Sequence, residues 1–564
     1  MKYCLYFLSL SFVLFSCGNK LQKSRMLSEK GWTYVMSKGE EEMRAENAKK
    51  ALPYFTRALK LNPKSSSSYN GRGVAWYYMG EYEKALEDYK RSIELTPFEF
   101  SPFNNRAMTY EKLRRNKEAI DDYLSAKNFK PDDPYVHYNL GHLYSGSNEP
   151  NKAIRYYSKA IELKSDAAYM YNARGIEYKS IGEYTLALND FTKAVSLDSI
   201  YVSAYNYRGN TYFDMKKYDE ALKEYNKALS VDPKYSYAYY NRGLTEKEQG
   251  KLQEAELDFK KALELDPGNT GTLNSLGNLY SDKGENRNAI AYYSKAIEND
   301  KKYSIGYHNR GRNYRLLNSL DSAIADLSKT IELDSAYVSA YNERGLAYYD
   351  KKQYKEAIED FTNALKISPD YAHAYNNRGM AKNELKDISG AKEDYLMAIK
   401  QNTNNPEANY NIGILYADMQ SYDTAIIYYT KAIELKPTYA HAYHNRGRVY
   451  QHRKQFETAL KNYSKAIALD SLYTNALNSR GMVYTELMKY DSAVTDLLNC
   501  IRLKYASPYP FNNVANCYFK MNRVDKACEY WKLALDNGYV YDPKWKEEYG
   551  IDDPVELLKK HCGK

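Results

Sequence analysis

The N-terminus of this 564-residue chain begins like a membrane segment but lacks the length of one. Its apolar run, Leu5–Phe15 ("LYFLSLSFVLF"), is eleven residues with two serines among them, against about 20 needed to span a bilayer. A Lys/Arg block is also missing. The net charge of +9 is spread over 81 basic and 72 acidic residues, which describes a soluble surface rather than a nucleic-acid footprint. There is no phosphate-binding loop, no nucleophile with a spaced base, and no His/Cys/carboxylate cluster at metal-ligand spacing. Catalysis, cofactors and metals therefore find no foothold. Tryptophan (4) and proline (16) are scarce, whereas tyrosine reaches 63 and hydrophobic residues 43%. That balance excludes a disordered or low-complexity chain.

What is present starts with Lys2 and the apolar run, whose length suits a secretory signal. The run ends in "LFSC", Leu14–Cys17, which resembles the lipobox of bacterial lipoproteins: an aliphatic residue three before the Cys and a small one just before it. The resemblance implies a signal peptide over 1–16, cleavage before Cys17, and a lipidated tether over 17–26. Several acyl chains on Cys17 would make a stable anchor where one would not. Phe15 departs from the pattern, so an ordinary signal peptide or an uncleaved anchor stays open. The lack of acids directly after Cys17 favours the periplasmic face of the outer membrane.

The rest is periodic. Gly73, Gly141, Gly175, Gly209, Gly243, Gly277, Gly311, Gly345, Gly379, Gly413, Gly447 and Gly481 share a 34-residue grid, and Ala107 and Ala515 fill its two gaps. Twelve residues after each grid point stands an Ala, from Ala85 to Ala527. Fourteen repeats thus cover residues 66–541 without insertion or deletion. In "AYNYRGNTYFDMKKYDEALKEYNKALSVDP", Ala204–Pro233, apolar residues recur every three or four positions on both sides of "KK". This spacing predicts two amphipathic helices in a hairpin. Gly inside a helix costs about 1 kcal/mol relative to Ala. Gly209 is therefore expected to face Ala221 and Ala228 in a close backbone approach, beside Tyr205, Tyr212 and Tyr225. A divergent repeat over 27–65 and a capping helix over 542–564 complete the domain plan.

The repeats can be compared with one another. Ten carry Arg just before the grid point, and sixteen residues later stands an acid, as in Arg208/Glu224 and Arg344/Asp360, or once an Asn, Arg446/Asn462. The other four carry Leu140, Leu276, Ile412 and Val514, and sixteen residues later Tyr156, Tyr292, Tyr428 and Tyr530. Such a split predicts a facing structural pair: a charge-assisted hydrogen bond in ten hairpins, an apolar contact in four. Leu140, Leu276 and Ile412 lie 136 residues apart, the interval that also separates two copies of "YVSAYN", at 201 and 337. A four-repeat block has been duplicated.

An aromatic, a Gly four residues on, then Tyr, late Ala, aromatic, Ala and a final Pro is similar to the tetratricopeptide repeat, over 66–541. The resemblance implies an all-α fold, a right-handed α-solenoid or superhelix of tandem helix-turn-helix hairpins, with first helices lining a concave groove. It also implies that the Asn two residues before the grid point grips a ligand backbone. Those residues are Asn105, Asn139, Asn241, Asn309, Asn377, Asn411, Asn445 and Asn513, with Asn377, Asn411 and Asn445 the best consecutive run. The chaperone-type carboxylate clamp is not matched, since His373 and Glu407 stand where it needs a cation. Two basic stripes, His308/Arg312/Arg315 and His441/His444/Arg448/His452, suit an acidic partner segment. Cys500, Cys517, Cys528 and Cys562 cluster near the C-terminus: Cys528–Cys562 would pin the last helix, Cys517–Cys528 would bridge one hairpin, and free thiols are the third possibility. The expectation is a non-catalytic scaffold, lipid-anchored in a bacterial envelope, binding a polypeptide partner and no nucleic acid. Glycan or peptidoglycan binding through Tyr and Asn is the alternative.

Overall fold

The computed structural model describes residues 2–36, 41–503, 507–544 and 552–563, except for the side chains of 2–18, 41 and 42. The chain divides into two compact units, Met1–Leu279 and Tyr280–Lys564. Within each unit, antiparallel helical hairpins stack in sequence order. The expected all-α solenoid is the fold.

In a representative hairpin the helices are Val202–Asp214 and Tyr218–Val231. Between them Lys216 is left-handed, with φ 59°. The residue seven after the grid point is left-handed in every repeat: four times Gly, as Gly182, and ten times another residue, including Met488. Outside Gly and Asn that conformation costs about 1–2 kcal/mol, so the turn is imposed by the packing of the two helices.

The grid glycines have a second reason beside the one expected. A Cβ on Gly209 would lie 2.6 Å from Cε1 of Tyr225, and one on Gly345 2.7 Å from Cε1 of Phe361. The glycine makes room for a buried ring on the second helix, or for Leu327 and Leu497 opposite Gly311 and Gly481. The expected backbone approach is there too: the carbonyl of the Ala twelve residues on lies 3.2 Å from a Cβ placed on Gly243 or Gly379. Gly31 has the same relation to Phe55, and Trp32 packs edge-on against that ring at 5.7 Å. The N-terminal hairpin reaches further back than residue 27. Helix Lys2–Val35 holds Ser24 buried, its hydroxyl donating to the Ala58 carbonyl at 2.9 Å. The polar tether expected over 17–26 is thus corrected at its C-terminal end. Cys17 falls on the same helix, with its side chain outside the described residues. No helix among the described residues is long and apolar enough to cross a membrane.

At the other end, Asp553 caps helix Pro554–His561, accepting from the Val555 N–H at 2.8 Å. Leu557, Leu558 and Cys562 pack on the cluster around Trp531. The disulfide joins Cys528 to Cys562. Cys517 and Cys500 are free and fully buried, so the Cys517–Cys528 alternative is wrong. The Cys517 thiol points instead at the Thr485 hydroxyl, 3.1 Å away on the preceding repeat.

Candidate partner-binding face

The interior of each hairpin sets the position of its first helix, and it comes in two forms. In one, Arg344 donates from Nε and Nη2 to the two carboxylate oxygens of Asp360, at 2.8 and 2.7 Å. Arg208 places both nitrogens on one oxygen of Glu224, at 2.9 and 2.7 Å. The remaining nitrogen, Nη1, reaches the preceding repeat: Arg344 to Ser328 at 2.9 Å, Arg208 to Thr192 at 3.2 Å, Arg242 to Asn226. Each of these three arginines therefore clamps two second helices at once. In the other form the Arg is replaced by a fully buried aliphatic residue such as Leu140 or Ile412. In three of these four repeats the tyrosine sixteen residues on stacks on a first-helix tyrosine: Tyr156 on Tyr144, Tyr292 on Tyr280 and Tyr428 on Tyr416, at 5.4–5.6 Å and within 6° of parallel. In the fourth, Tyr530 lies 5.7 Å from Tyr518 at a tilt of 43°.

On the first helices the asparagines form rungs. Asn377 donates from Nδ2 to Oδ1 of Asn342 at 2.9 Å, Asn411 to Asn376 at 2.9 Å, and Asn445 to the Tyr410 hydroxyl at 2.9 Å. Asn105 bonds Asn70 and Asn241 bonds Asn206, both at 3.0 Å. Asn139 departs from the pattern and donates to the Tyr123 hydroxyl, at 3.1 Å. The acceptors stand three residues before the grid point, one repeat earlier, and two of them are the last residues of "YVSAYN", Asn206 and Asn342. Each rung spends one donor and holds the carboxamide in one orientation; Asn377 also accepts from Asn376, at 3.3 Å.

The basic stripes are less basic than their composition. His308 is buried between Ser339 (Nε2 to Oγ, 3.0 Å) and Tyr337 (ring centroids 4.9 Å apart), and burial lowers its pKa. His444 bonds Ser479 at 3.2 Å and the Tyr473 hydroxyl at 3.2 Å. Burial, reinforced by Arg448 and His441, pushes it down to about 4. Both rings are neutral at pH 7 and serve as packing groups. Arg315 is occupied by Glu343 at 3.3 Å and Asp350 at 3.1 Å. Arg312 and Arg448 are exposed. Among the described residues no cluster of three or more His, Cys, Asp or Glu is arranged to hold a metal.

Family profiles described as "TPR repeat" match residues 115–148, 209–248 and 311–352. Profiles described as "Tetratricopeptide repeat" match 66–98, 134–166, 236–269 and 338–371, then 406–471, and 168–201 and 271–303. The chain belongs to the tetratricopeptide repeat family. Tetratricopeptide arrays are generally non-catalytic and act as protein-interaction scaffolds. Similar solved structures include the APC/C hetero-tetramer Cut9–Hcn1, at 15% identity over 86% of this chain and 98% of the other, TM-score 0.45. The MamA protein is similar at 27% identity over 29% and 91%, TM-score 0.28. YrrB, described as a TPR protein with an unusual peptide-binding site, is similar at 30% identity over 33% and 97%, TM-score 0.27. No curated protein matches in sequence.

Within this tetratricopeptide frame, Asn445 and Arg448 share helix Ala440–His452 with buried His444. Asn377 and Asn411 come from the two preceding first helices, Ala372–Glu384 and Pro406–Asp418. Two features went unread in the sequence although it carries them. Sixteen residues before each Arg stands, with one exception, Ser, Thr or Asn; before the aliphatic residues stand Leu124, Lys260, Leu396 and Leu498. The rung acceptors form a second column of the same kind.

Proposed function

We propose that this tetratricopeptide protein is an exported, lipid-anchored scaffold of a bacterial envelope, on the periplasmic face of the outer membrane, whose first-helix face holds an extended segment of another envelope protein. The observation that carries the reading is the set of rungs at Asn377, Asn411 and Asn445. Carboxamides already held in one orientation on consecutive helices lose little entropy when a peptide backbone binds them. The Cys528–Cys562 disulfide supports an oxidising compartment, in keeping with the "LFSC" signal and Cys17. Arg312 and Arg448 add charge suited to an acidic segment.

Proximity labelling from the full-length protein in the envelope tests the groove, with Asn377, Asn411 and Asn445 changed together to Ala and folding checked by circular dichroism. A folded variant that loses its labelled partners supports the reading, and an unchanged set contradicts it. Detergent partitioning of Cys17→Ser tests the anchor: the variant should leave the membrane fraction.

A further inference from the structure

Nine of the arginines before the grid point face a carboxylate on their own second helix, and one does not. Arg378, for instance, donates to both oxygens of Asp394, at 2.9 and 2.7 Å. Arg446 meets Asn462 instead. Its Nε donates to Oδ1 at 2.9 Å and its Nη1 to Thr430 at 2.9 Å, as in the other repeats. The Asn462 amide turns its own N–H back to the Thr458 carbonyl, at 2.9 Å. Nη2, which elsewhere completes the two-pronged bond, has no partner among the described residues. The guanidinium stays in place, 5.6 Å from the ring of Tyr443, and half-buried.

The charge balance is correspondingly different. Arg310 and Arg344 are held charged chiefly by their aspartates. Arg446 is pushed the other way by burial, and its electrostatic neighbours are the phenols of Tyr450 and Tyr443 rather than any carboxylate. A guanidinium stays protonated at any physiological pH, so this one is a partly desolvated cation without a counter-charge. Its Nη2, the one prong of the fork that Asn462 leaves open, is a charged donor suited to a carboxylate oxygen.

We infer that Arg446, beside Thr430 and Asn462, binds through its open Nη2 a carboxylate from outside the chain, which supplies the counter-charge that an aspartate supplies in the other repeats. The carboxylate is either a free small acid or one carried by a peptide. The site lies between helices Tyr422–Leu435 and Phe456–Leu469 and is independent of the proposed groove.

Hydrogen exchange by mass spectrometry on the full chain tests it, with four additions at matched ionic strength: sodium acetate, sodium chloride, Ac-Gly-Glu-Gly-amide, and its Gln counterpart. Acetate or the Glu peptide should slow exchange in the helices 422–435 and 456–469. The half-maximal concentration should be about tenfold or more below that of Asn462→Asp, whose own carboxylate fills the fork. Acetate acting as well as the Glu peptide identifies a free acid; a stronger Glu peptide identifies a peptide-borne one. Arg446→Leu combined with Asn462→Tyr, which installs the pair of the aliphatic repeats, should fold and not respond. The inference is overturned if wild type and Asn462→Asp respond alike, if chloride or the Gln peptide protects equally, or if no carboxylate protects.

Discussion

The hairpin Ala372–Gln401 and the next one, Pro406–Leu435, have the same helix lengths and turn, with opposite interiors. In the first, Arg378 and Asp394 form a two-pronged ion pair and Lys382 adds a third charge, 2.8 Å from Asp394. In the second, Ile412 is fully buried and Tyr428 stacks on Tyr416 at 5.6 Å. The difference teaches that one backbone admits two internally consistent fillings, and that each is a set of residues rather than a pair. A half-exchanged set leaves either a lone charge or an orphaned ring in a close-packed space.

The largest effect should come from breaking the apolar set with one charge. Ile412→Arg places a guanidinium beside Tyr428 with no acid, and should cost about 3–5 kcal/mol, read as lost exchange protection in helices 406–418 and 422–435. Glu246 sharpens the comparison from the polar side. It occupies a slot that is aromatic in most repeats, as Tyr212 and Tyr280, and that four repeats on holds Lys382. Burial, then Asp258 nearby, raises Glu246 from 4.5 to about 7, with Arg242 opposing. A carboxyl raised in the folded state binds its proton more tightly there than when unfolded. The contribution of Glu246 to stability is therefore complete below about pH 4.5 and is lost as pH rises from there through about 7. Discounted for its partial exposure, the loss is about 1–2 kcal/mol. Glu246→Gln should remove this slope from the thermal melt between pH 5 and 8 without changing stability at pH 5.

Smaller effects separate the third member of each set. Ser328→Ala removes the acceptor of Arg344 Nη1 and should cost about 0.5–1.5 kcal/mol. Leu396→Ala, at the same register before Ile412, should leave every Arg–acid bond intact. Met488→Gly relieves a left-handed turn, φ 59°, and should raise the melting midpoint by an amount equivalent to about 0.4–1 kcal/mol.

Much of this was legible in the sequence because a tandem array is its own comparison. The helices, the grid and the Arg–acid covariation all lie within one 34-residue period. What was missed crosses periods. Ser328 bonds an Arg one repeat later, and Asn342 accepts from Asn377, 35 residues on. Composition marked His308 and His444 as cations, but only their burial shows them neutral. The left-handed turn stayed hidden because ten of its fourteen residues are not glycine. The disulfide needed the position of the last helix, which no spacing supplies.

The central claim is that the two interiors are sets that must be exchanged together. It is tested most directly by a double-mutant cycle on Arg344→Leu and Asp360→Tyr, with stability followed by denaturant melts and by hydrogen exchange in helices Val338–Asp350 and Tyr354–Ile367. Arg344→Leu alone leaves a buried aspartate unpaired and should cost about 3–5 kcal/mol. The double variant, whose new tyrosine can stack on Tyr348, should recover more than half of that loss. Losses that simply add would contradict the account.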